Sequence, residues 1–195
     1  MWFDNVGTFI EFGFRHIIPD GPDHMLFVAA LFLNSRGWTS LLVQVTAFTL
    51  AHTITLALAS TGIVEAPVNL VEPMIALSIA VLALEAIFFS KPNVWRLPVI
   101  FTFGLFHGLG FGAQMKAYLE NADLSAGLVG ITVGVEAGHL TILVATALIA
   151  FAAQAGLKIA GISEYYRRAF VVPVAAIIAT IGIYWTLQRT GLLPG

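Results

Sequence analysis

The run from His16 to Leu33, HIIPDGPDHMLFVAALFL, places two histidines and two aspartates beside and inside an apolar stretch. A charged side chain near a bilayer centre costs about 3 kcal/mol or more, so ionisable groups on a membrane segment mark a site or a pathway. Imidazole and carboxylate together suit divalent transition metals. The adjacent pair Asp23–His24 reads as a capture pair, with both residues ligating or with Asp23 orienting a ligating His24. The structural alternative is a helix N-cap by Asp23 beside a hydrogen-bonded interfacial histidine.

All five histidines, His16, His24, His52, His107 and His139, fall in or at the mouth of apolar segments. Glu136 and His139 stand three residues apart, on one face of a helix, where they can chelate an ion or bond each other to fix packing. The candidate ligands are therefore Asp23, His24, His52, His107, Glu136 and His139. Behind them come His16, Asp20, Glu72 and Glu85, the last of which has Lys91 as a structural neighbour. For His52 and His107 the structural alternative is a hydrogen bond between helices. Thr46, Thr49, Thr53 and Thr55 read as hydrogen-bonding partners of backbone or neighbouring polar groups rather than as ligands. Met25, Met74 and Met115 form no closely spaced cluster and read as packing. There are no cysteines, so thiolate ligation and disulfides are excluded.

These residues need elements to hold them. Of 195 residues 58% are hydrophobic and 10% charged, with mean hydropathy +0.91, against about a quarter charged in a soluble domain. The expectation is a single all-α membrane domain over 1–195, a bundle of about six spans at 23–33, 39–61, 68–89, 95–115, 124–153 and 169–187. A transmembrane helix takes about 20 apolar residues, and the first span falls short of that. Residues 2–17 carry Phe9, Ile10, Phe14 and Ile17 at helical spacing with Glu11 and Arg15 between them, as in a helix lying at the membrane interface. The N-terminal run has no Lys or Arg before Arg15 and so lacks the basic region of a secretory signal.

Arg36, Lys91, Arg96, Lys158, Arg167 and Arg168 fall on one side of the membrane in this topology, and Arg15, Lys116 and Arg189 on the other. The bias places both termini outside, together with an acidic face of Asp4, Glu11, Asp20, Asp23, Glu65, Glu120 and Asp123 that would concentrate cations. AHTITLALA around His52 echoes GHLTILVATA around His139, and the His24 and His107 segments echo each other. Such echoes suggest a three-plus-three inverted repeat with its site between the halves. The net charge of −2 gives no reason to expect a nucleic-acid partner.

Together GFRHIIPDGPDHMLFVAALFL, VTAFTLAHTITLALA, VEPMIALSIAVLALE, FGLFHGLGFG and GVEAGHL resemble the HupE/UreJ membrane proteins, which are associated with hydrogenase and urease accessory functions. The resemblance implies a multi-pass secondary permease of the bacterial inner membrane for nickel or cobalt, with His16, Asp23 and His24 matching the family's signature. Here Ile17 replaces the proline usual after the first histidine, and the gap before Asp23 is slightly longer.

The expected function is transport of a divalent transition metal, with nickel or cobalt favoured and zinc or copper open. Asp20 and Asp23 would attract the ion, the histidines and Glu136 would ligate or relay it, and Glu72 or Glu85 would accept protons on release. No GxxxxGK[ST] motif is present, so ATP hydrolysis by this chain is not expected. One rival is an intramembrane zinc hydrolase, with three histidines on the metal and an acid activating water. The other is a structural or assembly subunit that binds a partner membrane complex during metal insertion into an enzyme; a metalloenzyme maturation partner or a homo-oligomer is the partner expected of the chain. Haem has no CxxCH attachment site here.

Overall fold

The computed structural model describes residues 2–35, 37–91, 94–119 and 122–194, with side chains described from Val6 onward. Arg36 and Glu120, and the side chain of Asp4, lie outside the described residues. The elements are α1 (Trp2–Ile17), α2 (Pro22–Leu33), α3 (Trp38–Ser60), α4 (Val68–Phe88), α5 (Arg96–Leu119), α6 (Leu124–Ile159) and α7 (Val172–Arg189). A 3-10 turn at Ser163–Tyr165 and a π-helical turn at Arg167–Val171 lead into α7. Helices α3 to α6 and the stretch Arg167–Arg189 are each long and apolar enough to cross a membrane. The chain is an all-helical membrane protein.

The remaining crossing differs from expectation. Helix α2 has 12 residues, about 18 Å at 1.5 Å per residue, too short for a hydrocarbon core of about 30 Å. Helix α1, expected to lie at the interface, packs lengthwise on α6. Gly130 faces Val6 and Phe9, Gly134 faces Ile10 and Phe14, and Gly138 faces Ile17. Residue numbers rise together along both helices, so the pair is parallel. Helix α2 continues along α6, with His24 against His139 and Phe32 and Leu33 sharing a cleft with Ala147 and Ala150. Helices α1 and α2 thus follow one another along α6, broken at Ile18–Gly21. Pro19 and Pro22 supply no N–H to continue α1, and Gly21 sits so close to the His16 carbonyl that a side chain would not fit. Broken helices at membrane depth occur where the irregular backbone lines a cavity or is covered by protein.

A second glycine seam joins α5 to α3. Gly104, Gly108 and Gly112 lie against Phe48, His52 and Leu56, and these two helices are also parallel. Without a hydrophobic force between helices in lipid, close backbone approach through small residues is what associates them. Helices α4 and α7 run antiparallel, with Gly182 on Ala80 and Arg189 on Glu72. The two parallel pairs, α2 with α6 and α5 with α3, are those that exchange of the two three-helix halves would interconvert, and the helix directions are those an inverted repeat requires. Asp123 caps α6, its carboxylate accepting from Ala126 N–H at 3.1 Å and from the Ser125 hydroxyl at 2.6 Å. These bonds, the Ser125 one foremost, hold its pKa below the ordinary value.

A Cβ on Gly108 would collide with the His52 carbonyl and the Thr55 hydroxyl, whereas one on Gly156 meets nothing within 4 Å. Overpacking costs about 1–3 kcal/mol, so Gly108→Ala should lower the melting temperature in detergent. Gly156→Ala should leave it unchanged or slightly higher. Equal melting temperatures for Gly108→Ala and the parent would show that the α3–α5 seam is not tightly packed.

Candidate metal centre

The break between α1 and α2 faces α3, α5 and α6 at the depth where each carries its histidine, and all five imidazoles meet there. His24 is the hub. Its Nδ1 lies 3.2 Å from His139 Nε2 and its Nε2 lies 3.4 Å from His107 Nδ1. The rings of His16 and His52 lie with their centroids 4.9 and 5.6 Å from that of His24. Phe48 walls the cluster, edge-on to His24, His107 and His139, and the His16 ring stacks on Phe111 at 3.6 Å. His52 and His139 are fully buried, and His24 and His107 nearly so.

Donor atoms of His16, His24 and His52 lie within 4.8 Å of one another. Ligands of a tetrahedral ion with bonds of about 2.0–2.1 Å are about 3.3 Å apart, so modest ring movements would close the three onto one cation. His16 Nε2 and both ring nitrogens of His52 are buried without a hydrogen-bond partner. An unsatisfied buried polar group costs about 1–3 kcal/mol. A cation between these rings would give the lone pairs a partner, and the donor set fits a borderline divalent metal.

The other expected site residues stand around this centre at different distances. His16, Asp20, Asp23, His24, Glu72 and His107 line one cleft of about 290 Å³ with Phe111 and Gln114. Asp23 neither caps α2, whose N-cap is Gly21, nor hydrogen-bonds His24. Its two oxygens accept from Arg189 Nη2 at 3.0 and 3.2 Å, and Arg189 Nη1 lies 3.2 Å from Glu72. Asp20 is exposed and 3.9 Å from Arg15. Glu136 does not face the histidines directly. Its carboxylate accepts from Thr46 and Thr49, and Thr49 also contacts His139 Nδ1. Thr53 bonds Thr132 and Thr55 bonds the Leu105 carbonyl, the partner role read from the sequence for these threonines.

Glu85 lies apart, at the opposite end of α4 from Glu72. Its partner is Arg96 rather than Lys91. Arg96 also donates to Gln44 and to the Leu31 carbonyl, and its side chain is only 3% exposed. The sequence reading did not single out Arg96, Arg189, Ser78, Phe48 or Phe111 as parts of these sites. Arg189 had one signal, a cation one turn beyond Trp185 at the end of an otherwise uncharged span; the others look like ordinary span or loop residues.

The family model described as HupE / UreJ protein matches residues 1–189. No curated protein and no solved structure matches the chain.

Removing one partner from a buried ion pair costs about 3–5 kcal/mol, because the other charge is left uncompensated. Arg96→Met should therefore destabilise the detergent-solubilised protein strongly, and adding Glu85→Leu should recover part of the loss. A double variant as unstable as the sum of the two single variants would show the pair to be uncoupled.

Proposed function

The chain belongs to the HupE/UreJ family, and from that premise we propose that it is a secondary permease for a divalent transition metal, nickel or cobalt, in the bacterial inner membrane. The family implies a nickel- or cobalt-related accessory or transport role. The observation that carries the finer reading is the convergence of four imidazoles on that of His24, four of the five rings being buried and His16 half-buried, with unpartnered nitrogens on two of them. A transported ion needs ligands strong enough to strip its water yet able to let go, and neutral imidazoles meet both needs. Asp20, Asp23 and Glu72 line the approach. Arg189 occupies Asp23 and Glu72 as a tethered cation that an arriving ion would have to displace.

The ion would then pass to His16, His24 and His52, with His107 and His139 as flanking donors. The start of α1 and the end of α7 lie at the Asp23–Glu72 end of the bundle, and the Lys and Arg bias favours that end as the outside. The direction proposed is therefore inward. Arg96 with Glu85 occupies the far end of α4 and α5, and Glu85 is a candidate proton acceptor on release. A maturation partner that receives the metal, or a second copy of the chain, would sit outside the contacts described.

Nickel and cobalt uptake by cells producing the protein should fall by about tenfold or more in His52→Ala and His107→Ala, on the scale of lost metal ligands and their supports. Unaffected uptake in both variants would overturn the pathway. The purified protein should bind nickel or cobalt weakly and exchangeably, with binding lost in Asp23→Ala/His24→Ala. A single tightly held zinc would point to the hydrolase instead, and no bound metal under any loading condition to an assembly subunit.

A further inference from the structure

The five imidazoles are oriented in two ways. His24, His107 and His139 lie within hydrogen-bond distance of one another, of Ser78 and of Thr49. His16 Nε2 and both ring nitrogens of His52 have no such partner, and the aromatic ring of Phe111 lies against both of these residues. The His16 ring is stacked on it, with centroids 3.6 Å apart and planes 9° from parallel. The His52 ring is tilted toward it at 6.0 Å. Phe111 stands one turn beyond His107 on α5 and is buried. Phe48, the other aromatic wall, meets His24, His107 and His139 edge-on, at 80°, 73° and 71°.

A stack covers the face of an imidazole and leaves its edge, which carries the nitrogens, free. The His16 ring is thereby held at 71° to the His24 ring, 4.9 Å away, with donor atoms of His16, His24 and His52 within 4.8 Å of one another. The form of the stack also matters. Two neutral aromatic rings prefer an offset or edge-to-face arrangement to a face-to-face sandwich. Parallel planes with centroids 3.6 Å apart are already at the contact distance of carbon atoms, which leaves almost no offset. An imidazole that gives its lone pair to a cation loses ring electron density, and the negative face of a phenyl ring attracts a positive group set over it. A face-to-face stack is therefore stronger when His16 ligates an ion than when it does not.

We infer that Phe111 is a positioning residue for the metal: it holds the His16 ring so that Nε2 can close the site formed with His24 and His52, and its grip tightens when that nitrogen ligates. It touches the imidazole and not the ion. The inference rests on the proposed function in naming a divalent cation, while the stack belongs to the metal-free protein.

The test begins with proton NMR of the metal-free protein in detergent, with histidine ring resonances assigned by single histidine substitutions. The ring current of Phe111 should shift the His16 ring protons upfield in the parent and in Phe111→Tyr, and the shift should vanish in Phe111→Leu, which keeps an apolar side chain but no aromatic face. Nickel affinity by equilibrium dialysis should weaken by about 2- to 10-fold in Phe111→Leu, the scale of one aromatic pair, and return in Phe111→Tyr. With His16→Ala as the background, Phe111→Leu should cost nothing further, because the pair is coupled. An unshifted His16 in the parent, parental affinity in Phe111→Leu, or the same loss with and without His16 would each overturn the inference, the last by showing Phe111 to be packing alone. Nickel bound as expected but not taken up by cells would remove the transport reading and leave the positioning role standing. If the parent binds neither nickel nor cobalt, the transport reading and the role toward an ion both fall, even with the His16 shift present.

Discussion

Five imidazoles can share one site only if a short piece of chain brings the central one there, and the break between α1 and α2 does this. A continuous helix through residues 2–33 would run past the centre without a gap. The break at Ile18–Gly21 lets His16, on the last turn of α1, and His24, on the first turn of α2, turn toward each other across it. The irregular backbone costs hydrogen bonds that lipid could not replace. Here the break opens onto the cleft that Asp20, Asp23 and Glu72 line, and α3, α5 and α6 bring the remaining three histidines.

The covering depends on close helix approach. Gly104, Gly108 and Gly112 set α5 against α3, and Gly130, Gly134 and Gly138 set α6 against α1. In each pair a histidine stands on or beside the seam: His52 opposite Gly108, His107 next to it, and His139 next to Gly138. Larger residues along the seams would push the helices apart and carry the rings out of reach. The glycines therefore shape the histidine cluster, although none contributes a side-chain donor to it.

Polar groups divide between the ends of the bundle. Arg189 ties the end of α7 to Asp23 on α2 and to Glu72 on α4, above the histidines in an open cleft. At the other end Arg96 ties α5 to Glu85, Gln44 and the Leu31 carbonyl, and it is buried. A cation approaching from the first end meets Asp23 and Glu72, which share the partly exposed Arg189 as counter-charge. From the second end it would meet a fixed guanidinium. This asymmetry accords with inward transfer from the Asp23 side, as proposed above.

The sequence alone determined that the protein is a helical membrane bundle, because runs of about 20 apolar residues have few other uses. It also marked the histidines, because ionisable residues on such runs are too costly to be incidental. Helix limits for α3 and α4 could be read to within a residue, since the sequence runs GIVEAP and SKPN punctuate them. It could not pair Arg189 with Asp23 or Arg96 with Glu85 and Gln44, because ion pairs between distant segments leave no local pattern. Nor could it separate Glu136 from His139: spacing of three places both on one face, but a helical face is wide enough for one side chain to turn inward and the other toward α3. The location of α1 was likewise a tertiary matter. Its mixed apolar and charged surface names no partner helix, and only the glycine seam of α6, meeting Phe9, Ile10 and Ile17 in register, shows which helix its apolar side packs on.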